Sequence, residues 1–227
     1  MHGGNCNLET CFLCRNCVPD WKEIIAIKKH TISVRRGKAI FTEGDHVKGI
    51  YFLYSGSAKV HMHWEEQKEL ILRFAREGDV LGHRGFGDTI YPISATAMED
   101  SKVCFISNEF LETTLKTNPS FTYNLLYVYA RELQKAEKRM RNLAHMEVKG
   151  RIAEALLEIA DTFGNNQNGY INITMTRQDI ASYAGTTYET VFKFFNDLTN
   201  SSIISTSGKS IKIDKPEELR SYIKESA

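Results

Sequence analysis

The chain has 227 residues, of which 42% are hydrophobic and 25% are charged, and its 29 basic residues nearly balance its 28 acidic ones. This composition excludes a disordered chain and a polycation that coats nucleic acid without selectivity. The longest apolar runs are far shorter than the roughly 18 residues that cross a bilayer, and the N-terminus lacks a secretory signal pattern. We expect a cytoplasmic protein of one large or two small domains, with no membrane association.

Cysteine usage is the first distinctive feature in chain order. Four of the five cysteines lie within twelve residues, and the fifth lies 87 positions further on. They are Cys6, Cys11, Cys14 and Cys17, followed by Cys104. In a reducing compartment, clustered cysteines more often bind a metal or sense redox state than form structural disulfides. We predict a sensor segment over residues 1–20, and we leave open an iron–sulfur cluster, a zinc site and a disulfide switch.

Short strands separated by glycine turns dominate the next part of the chain. β-Branched and aromatic residues fill runs such as 30–34, 49–62 and 93–106, and glycines punctuate them. This pattern is typical of an antiparallel roll rather than of parallel βαβ units. We expect strands from about residue 21 to residue 106, within a β-roll effector domain over residues 21–117.

The hydrophobic period changes after residue 120. Apolar residues then recur at steps of three and four along one stripe, and charged residues fill the other faces. The stripe consists of Leu126, Tyr129, Leu133, Ala136, Met140 and Leu143. A helix packed on its own domain is the alternative, but so narrow a seam favours pairing with an identical helix. We predict a dimerisation helix over residues 118–146 and a parallel homodimer.

Residues 147–227 predict a small domain with the order helix, strand, two helices and hairpin. An amphipathic helix ends at Gly164, a short strand covers residues 171–176, and two β-rich runs flank Ser207 and Gly208. The hairpin is expected to form a wing beside the two helices. The whole chain is therefore predicted to have an α+β fold.

The two helices have the features of a helix-turn-helix. Ala181 stands where they touch, Gly185 where the turn takes a positive φ, and Val191 where the second helix meets the core. Thr176 and Asp179 have the spacing of a capping pair for the first helix. With the wing, this order of elements predicts binding to double-stranded DNA.

The charge of this domain is unusual for a DNA-binding domain. Residues 147–227 contain nine basic and eleven acidic residues, a net charge of about −2, whereas such domains are usually basic. Affinity must then come from local contacts, including the N-terminus of the second helix aimed at a phosphate. The candidate DNA-contacting residues are Arg177, Thr187, Tyr188, Glu189, Phe192, Lys193, Lys209 and Lys212.

Four stretches of the chain carry a resemblance to a known family. They are "IFTEGD" at 40–45, "YFLYSGSAKV" at 51–60, "EGDVLG" at 77–82 and "TRQDIASYAGTTYETVFKFFNDL" at 176–198. In this order they resemble the CRP/FNR family of bacterial transcription regulators. The resemblance implies a jelly roll like that of cyclic-nucleotide-binding domains, a dimer on a palindromic promoter site, and RNA polymerase as a partner.

The loop that binds cyclic AMP in one branch of the family differs here. That branch carries a Gly-Glu pair and then an Arg-Ser pair that holds the cyclic phosphate, whereas here His83 follows Gly82 and the Arg-Ser pair is missing. Arg84 stands in a different part of the loop. Because a buried phosphodiester needs a charge partner, we do not expect cyclic AMP as the effector.

The cysteines resemble those of the oxygen-sensing FNR branch. That branch implies a [4Fe-4S] cluster held by three N-terminal cysteines and one from the roll. Cys104 matches the roll cysteine, and Cys11, Cys14 and Cys17 form the most compact N-terminal set, with Cys6 as the alternative. Their spacing is tighter than in the best-known members, so zinc stays the alternative metal. The implied signal is oxygen, redox state or nitric oxide, and the alternative is another small effector in the roll.

The recognition helix also differs from the family pattern. The family carries a glutamate and, four residues later, an arginine that reads guanine, whereas this chain has Glu189 and Lys193. The lysine keeps the positive charge but loses the bidentate fork. Phe192 stands where the oxygen-sensing branch has serine. We expect it to pack into the core, and contact with a thymine methyl is the alternative.

Little in the sequence suggests a haem site or a catalytic site. His61 and His63 alternate along a strand and are expected on one exposed face, and His2 and His83 are expected to be ordinary surface residues. The sequence contains no nucleophile elbow, P-loop or metal-hydrolase motif. We therefore do not expect an enzyme.

Overall fold

The computed structural model describes residues 11–64 and 68–223. Within them the chain forms two compact units, one from residues up to 62 together with 72–134, and the other from residues 63–71 and from residue 135 onward. Among the described helices, none is both long and apolar enough to cross a membrane.

The first unit begins with two helices, α1 (Phe12–Asn16) and α2 (Trp21–Lys28). The predicted start of the strands at about residue 21 is therefore wrong. Trp21 and Ile25 are four residues apart and lie on one side of α2. Ile25 is buried, and the Trp21 ring stacks on Phe110 with its Nε1 donating to Thr114 Oγ1 at 3.2 Å. This apolar anchoring explains why the segment is helical.

Eight strands follow and form two four-stranded sheets. The strands are β1 (His30–Val34), β2 (Ala39–Phe41), β3 (Gly49–Ser55), β4 (Ser57–Trp64), β5 (Lys68–Arg76), β6 (Val80–Leu81), β7 (Ser94–Ala97) and β8 (Ser101–Ser107). Their order is β1-β8-β3-β6 in one sheet and β2-β7-β4-β5 in the other. The pairings of β8 with β1 and β3, and of β7 with β2 and β4, are antiparallel. The predicted antiparallel roll is confirmed.

Alternate residues of β3 and β8 face two different apolar clusters. Leu53 and Val103 belong to a cluster whose members come from strands of both sheets. Phe52 and Cys104 belong to a second cluster, which they share with residues of the surrounding helices. Because side chains alternate along a strand, Cys104 points away from the interior of the roll and towards the helices.

Two further helices follow, α3 (Asn108–Thr117) and the long helix α4 (Pro119–His145), which belongs to the first unit up to residue 134 and to the second from residue 135. α4 begins in the apolar cluster of Cys104, where Phe121 and Leu125 are buried. Further along, Leu126 is 66% exposed, Leu133 61% and Met140 65%. These three side chains therefore form an apolar surface that their own chain leaves uncovered.

The second unit contains the C-terminal elements. They are α5 (Val148–Phe163), α6 (Arg177–Ala184), α7 (Tyr188–Asn200), β9 (Ile204–Ser207), β10 (Ser210–Ile213) and α8 (Pro216–Arg220). The predicted helix-turn-helix and hairpin are confirmed, since β9 pairs with β10 in antiparallel register. The strand predicted over 171–176 is wrong. Ile171 makes one isolated bridge, to Asn165, and its amide donates to the Ile211 carbonyl. The segment therefore pairs with its neighbours only around Ile171 and does not form a continuous ladder of strand hydrogen bonds.

Candidate metal centre and nucleic-acid interface

One short helix positions the N-terminal cysteines. Cys11 directly precedes α1, Cys14 lies inside it, and Cys17 directly follows it. The amide of Arg15 donates to the Cys11 carbonyl at 3.0 Å and closes the turn. Since residues three apart are neighbours on a helix, the two-residue spacers bring the three side chains into one region.

Aromatic packing fixes this helix on the roll. The Phe12 ring stacks on Phe52 of β3 with centroids 6.2 Å apart, and it meets Phe121 of α4 edge-on at 5.8 Å. Phe12 and Phe121 are both buried. Helix α1 is therefore packed between a strand of the roll and the first turn of the long helix.

The structure brings four of the predicted ligands together. Cys11, Cys14, Cys17 and Cys104 are each at most 7% exposed and belong to the same apolar cluster. Cys104 reaches it from β8, where it lies between Thr31 of β1 and Phe52 of β3. Cys6, the alternative ligand, lies outside the described residues.

Burial changes the chemistry of these thiols. Burial, together with the neighbouring Cys11, raises the pKa of the Cys17 thiol to about 12, and Lys22 opposes the rise only weakly. A thiolate in this environment therefore needs a compensating cation.

The donor set fits a soft metal centre. Sulfur ligands in an apolar, water-poor environment suit zinc or an iron–sulfur cluster, and a bound metal would replace the thiol protons. Both groups take four cysteine ligands, which is the number that the described residues supply.

The helix-turn-helix is capped as its sequence predicts. Thr176 Oγ1 accepts from the amide of Asp179 at 3.0 Å, and Asp179 Oδ2 accepts from the amide of Thr176 at 3.1 Å, which completes a capping box for α6. Gly185 ends α6 with a φ of +63°, where other residues are strained. Thr187 caps α7 by accepting from Thr190. These caps hold the two helices around a tight turn.

Helix α7 presents a polar and aromatic surface. Its buried residues are Val191, Phe194, Phe195 and Leu198. Tyr188 and Phe192 lie off that face and stack on each other, with centroids 6.2 Å apart and an angle of 19°. Phe192 is 44% exposed, so the prediction that it packs into the core is wrong. Glu189 and Lys193 are exposed on the same helix.

The four predicted cationic contacts differ in their surroundings. Lys193 on α7 and Lys209 at the tip of the wing are exposed. Lys212 forms an ion pair with Asp214 at 3.1 Å. The Arg177 guanidinium lies over the Phe195 ring at 5.3 Å, and its buried Nε has no hydrogen-bond partner among the described residues. Lys193 and Lys209 are thus the more accessible cations.

One residue of the predicted dimer stripe contacts its own roll. Tyr129 is half-buried, its hydroxyl donates to the His83 carbonyl, and its ring meets the His83 ring edge-on at 4.9 Å. Ala136 and Leu143, like the three residues named above, are exposed. The uncovered surface of α4 therefore follows the predicted stripe apart from Tyr129.

The structure corrects the expectation for the histidines. His61 is 5% exposed, with Nε2 2.8 Å from Thr96 Oγ1, and His83 is also buried. His63 is exposed as expected, and His2 lies outside the described residues. His83 contacts Glu132, a residue that sequence reasoning missed because it lies in a highly charged run of α4. Glu132 lies three positions after Tyr129 and therefore on the same side of α4, and this spacing was the available signal that it faces the roll.

Comparison with known protein families identifies the roll and the helix-turn-helix as two separate domains. Residues 31–118 match the family described as a cyclic nucleotide-binding domain, and residues 150–222 match the Crp-like helix-turn-helix domain. A roll of the effector-binding type joined to a DNA-binding domain defines a DNA-binding transcription regulator and not an enzyme.

Individual relatives narrow the assignment. The fumarate and nitrate reduction regulatory protein of Yersinia pestis is 27% identical over 221 residues, which cover 93% of this chain and 88% of the relative. A CRP-like cAMP-activated global transcriptional regulator of Mycobacterium tuberculosis is 28% identical over 187 residues, 81% of this chain and 84% of the relative. The structure of FixK2 from Bradyrhizobium japonicum superposes with a TM-score of 0.78 and 24% identity, over 88% of this chain and 99% of that one. The chain belongs to the CRP/FNR family of transcription regulators, whose members bind DNA and act as dimers.

Proposed function

We propose that this regulator senses oxygen or a related redox signal through a [4Fe-4S] cluster held by Cys11, Cys14, Cys17 and Cys104. The observation that carries the proposal is the burial of these four side chains in one apolar cluster, although Cys104 lies 87 positions beyond Cys17. Four buried thiols in one apolar cluster have the ligand type and the ligand number that an iron–sulfur cluster needs. The likeness to regulators of fumarate and nitrate reduction supports an oxygen-linked signal.

The packing of α1 suggests how cysteine ligation could affect dimer formation. When bound, an iron–sulfur cluster would supply a centre that oxygen can oxidise and whose iron nitric oxide can bind. The four cysteines would join α1 to β8 through the bound group, and Phe12 of α1 packs on Phe121 in the first turn of α4. Loss of ligation would release α1 and change the packing at the start of the helix that carries the exposed apolar stripe. A group that binds one state better favours that state, so ligation would favour the dimer.

The DNA side of the proposal rests on α7 and the wing. Tyr188, Glu189, Phe192 and Lys193 are exposed on α7, and Lys209 is exposed on the wing. In a dimer, two such helices would enter successive major grooves of a palindromic promoter site. Contact with RNA polymerase is proposed from the family alone. A zinc site or a thiol switch uses the same cysteines and is the alternative that the experiment must separate.

The test is metal analysis and DNA binding of protein purified without oxygen. We expect about four iron and four sulfide per chain, a visible absorption that air removes, and loss of affinity for a promoter fragment on exposure to air. Serine variants of Cys11, Cys14, Cys17 and Cys104 are each expected to lose iron, while Cys6→Ser serves as the matched control and retains it. One zinc per chain, with DNA binding that air does not change, would overturn the proposal.

A further inference from the structure

Two arginines and one histidine of the roll converge on one carboxylate of the long helix. Glu132 Oε2 accepts from His83 Nε2 at 3.0 Å and from Arg84 Nη2 at 2.9 Å, and Arg73 Nε lies 2.9 Å from Glu132 Oε1. All four residues belong to the first unit. The carboxylate is thus bound by cations from β5 and from the 3-10 turn His83–Gly85.

This arrangement is largely buried and is not a surface ion pair. The side chain of His83 is 3% exposed and that of Glu132 is 15% exposed. Besides its ion pair with Glu132, Arg73 donates a hydrogen bond from Nη2 to the Val80 carbonyl at 2.5 Å. Tyr129, one turn before Glu132 on α4, donates to the His83 carbonyl. Two successive turns of α4 are therefore joined to the same turn of the roll.

The charges show why an anion is required here. A second carboxylate, that of Asp79, lies 3.7 Å from Arg73 Nη1 and is more exposed than Glu132. Two arginines and a histidine at a partly buried site are costly without a counter-charge. Burial raises the pKa of Glu132, but the hydrogen bond from His83 and the charges of Arg73 and Arg84 outweigh it and hold the pKa at about 2. The carboxylate is therefore ionised and serves as the counter-ion.

We propose that Glu132 is the resident anion of an oxyanion-binding site in the roll, formed by Arg73, His83 and Arg84, and that it determines specificity by excluding small anionic effectors. The site in the roll is then occupied by the Glu132 carboxylate of helix α4 instead of by a phosphate or sulfate from solution. Leu133, the next residue, is exposed on the stripe of α4. Because Glu132 is held in this site, it also fixes the orientation of the neighbouring surface of α4 that is proposed for dimer contact.

The test measures anion binding by the full-length protein and uses Glu132→Ala with Glu137→Ala as the matched control. Glu137 is an exposed glutamate on the same helix. Sulfate and cyclic AMP are the probes, measured by titration calorimetry and by the rise in Tm against chloride at equal ionic strength. We expect neither probe to bind the wild type or Glu137→Ala, and we expect sulfate to bind Glu132→Ala and raise its Tm by several degrees more than chloride does.

Two further measurements separate the site from a purely structural ion pair. Arg84→Ala combined with Glu132→Ala is expected to lose the sulfate effect, since Arg84 donates to the anion through two nitrogens. If Glu132→Ala does not fold, Glu132→Gln removes the charge but keeps the side-chain volume, and it is expected to show a smaller sulfate-dependent gain in Tm that the wild type lacks. Equal responses to sulfate and chloride in both variants, or cyclic AMP binding by the wild type, would overturn the inference. It does not rest on the metal proposal, because cysteine-to-serine variants are expected to leave anion binding unchanged.

Discussion

The amide of Val18, directly after Cys17, donates a 3.0 Å hydrogen bond to Oδ1 of Asn118, directly before α4. The same buried Asn118 donates from Nδ2 to the Thr114 carbonyl at 3.2 Å and to Thr117 Oγ1 at 2.9 Å. One amide side chain therefore joins the end of the cysteine segment to the junction between α3 and α4. It gives the proposed sensor a second connection to the long helix, besides the contact of Phe12 with Phe121.

Asn118→Ala is expected to loosen the cysteine segment while leaving all cysteines in place. The change leaves the Val18 amide without its partner, whereas the Thr114 carbonyl still accepts from the Asn118 backbone amide at 2.9 Å. We therefore expect a loss of about 1–3 kcal/mol in the free energy of unfolding. Cluster loss in air should become several-fold faster, which anaerobic protein mixed with oxygen and followed by visible absorption would measure. Asn124→Ala, on the exposed side of α4, is the control. Equal rates for the two variants would contradict the connecting role.

The two phenylalanines Phe192 and Phe195 are expected to separate DNA contact from folding. Phe192 is 44% exposed, whereas Phe195 is 1% exposed. Phe192→Ala should change the free energy of unfolding by no more than about 0.5 kcal/mol, while promoter affinity falls about tenfold because the stacked pair with Tyr188 is lost. Phe195→Ala should cost about 3–5 kcal/mol in stability. Urea unfolding and fluorescence anisotropy with a promoter fragment give the two quantities, and a large stability loss in Phe192→Ala would contradict its exposure.

These two residues show how far local patterns determine the C-terminal unit. The capping box of Thr176 and Asp179, the glycine turn at Gly185 and the hairpin were all predictable, because each depends on residue types within a few positions. The same spacing argument would have placed Phe192 correctly. Val191, Phe194, Phe195 and Leu198 already fill the buried face of the helix, and Phe192 lies about 100° from Val191. The hydrophobicity of Phe192 favours burial, but its position on the helix places it outside the buried face.

Tertiary contacts explain what the sequence could not predict. Residues 171–176 have the composition of a strand, but a strand needs a partner along its length, and the structure gives Ile171 a single bridge. The grouping of Cys104 with Cys11 and Cys14 was implied by family resemblance and not by spacing. The convergence of Arg73 and His83 on Glu132 brings together residues that are far apart in the chain, so neither local propensity nor period indicates it.

Lys209 and Lys212 are expected to differ in their effect on the salt dependence of DNA binding. Lys209 is exposed at the tip of the wing, whereas Lys212 is paired with Asp214 at 3.1 Å. Lys209→Ala should lower the slope of log affinity against log salt by about 1 for each subunit that binds, since one phosphate contact is lost. Lys212→Ala should leave the slope nearly unchanged. DNA titrations at several salt concentrations measure the two slopes. An equally lowered slope in both variants would show that the ion pair of Lys212 with Asp214 opens on DNA.

Leu133→Glu is expected to produce a monomer without disturbing the fold. Leu133 is 61% exposed in the single chain, so the change costs little in the isolated subunit, but in a dimer it would bury a carboxylate in an apolar seam. Sedimentation velocity at micromolar concentration should show the monomer mass, and promoter affinity should fall at least tenfold. Lys135→Glu, off the predicted stripe on the same helix, serves as the control and should stay dimeric. A dimeric Leu133→Glu protein would place the interface elsewhere.

The ionisation of Glu132 is expected to make the stability of the protein depend on acid. Its pKa is about 2 in the folded chain against 4.5 for an ordinary glutamate. A lowered pKa stabilises the folded state fully above about pH 4.5, and that stabilisation is lost as the pH falls towards 2, because the carboxylate must then be protonated. The full effect is on the order of 3 kcal/mol. Urea unfolding at pH 6 and at pH 3 should show a smaller loss in Glu132→Gln than in the wild type, since the variant has no carboxylate to protonate. Equal losses in the two proteins would mean that the cations of the roll do not hold this carboxylate in solution.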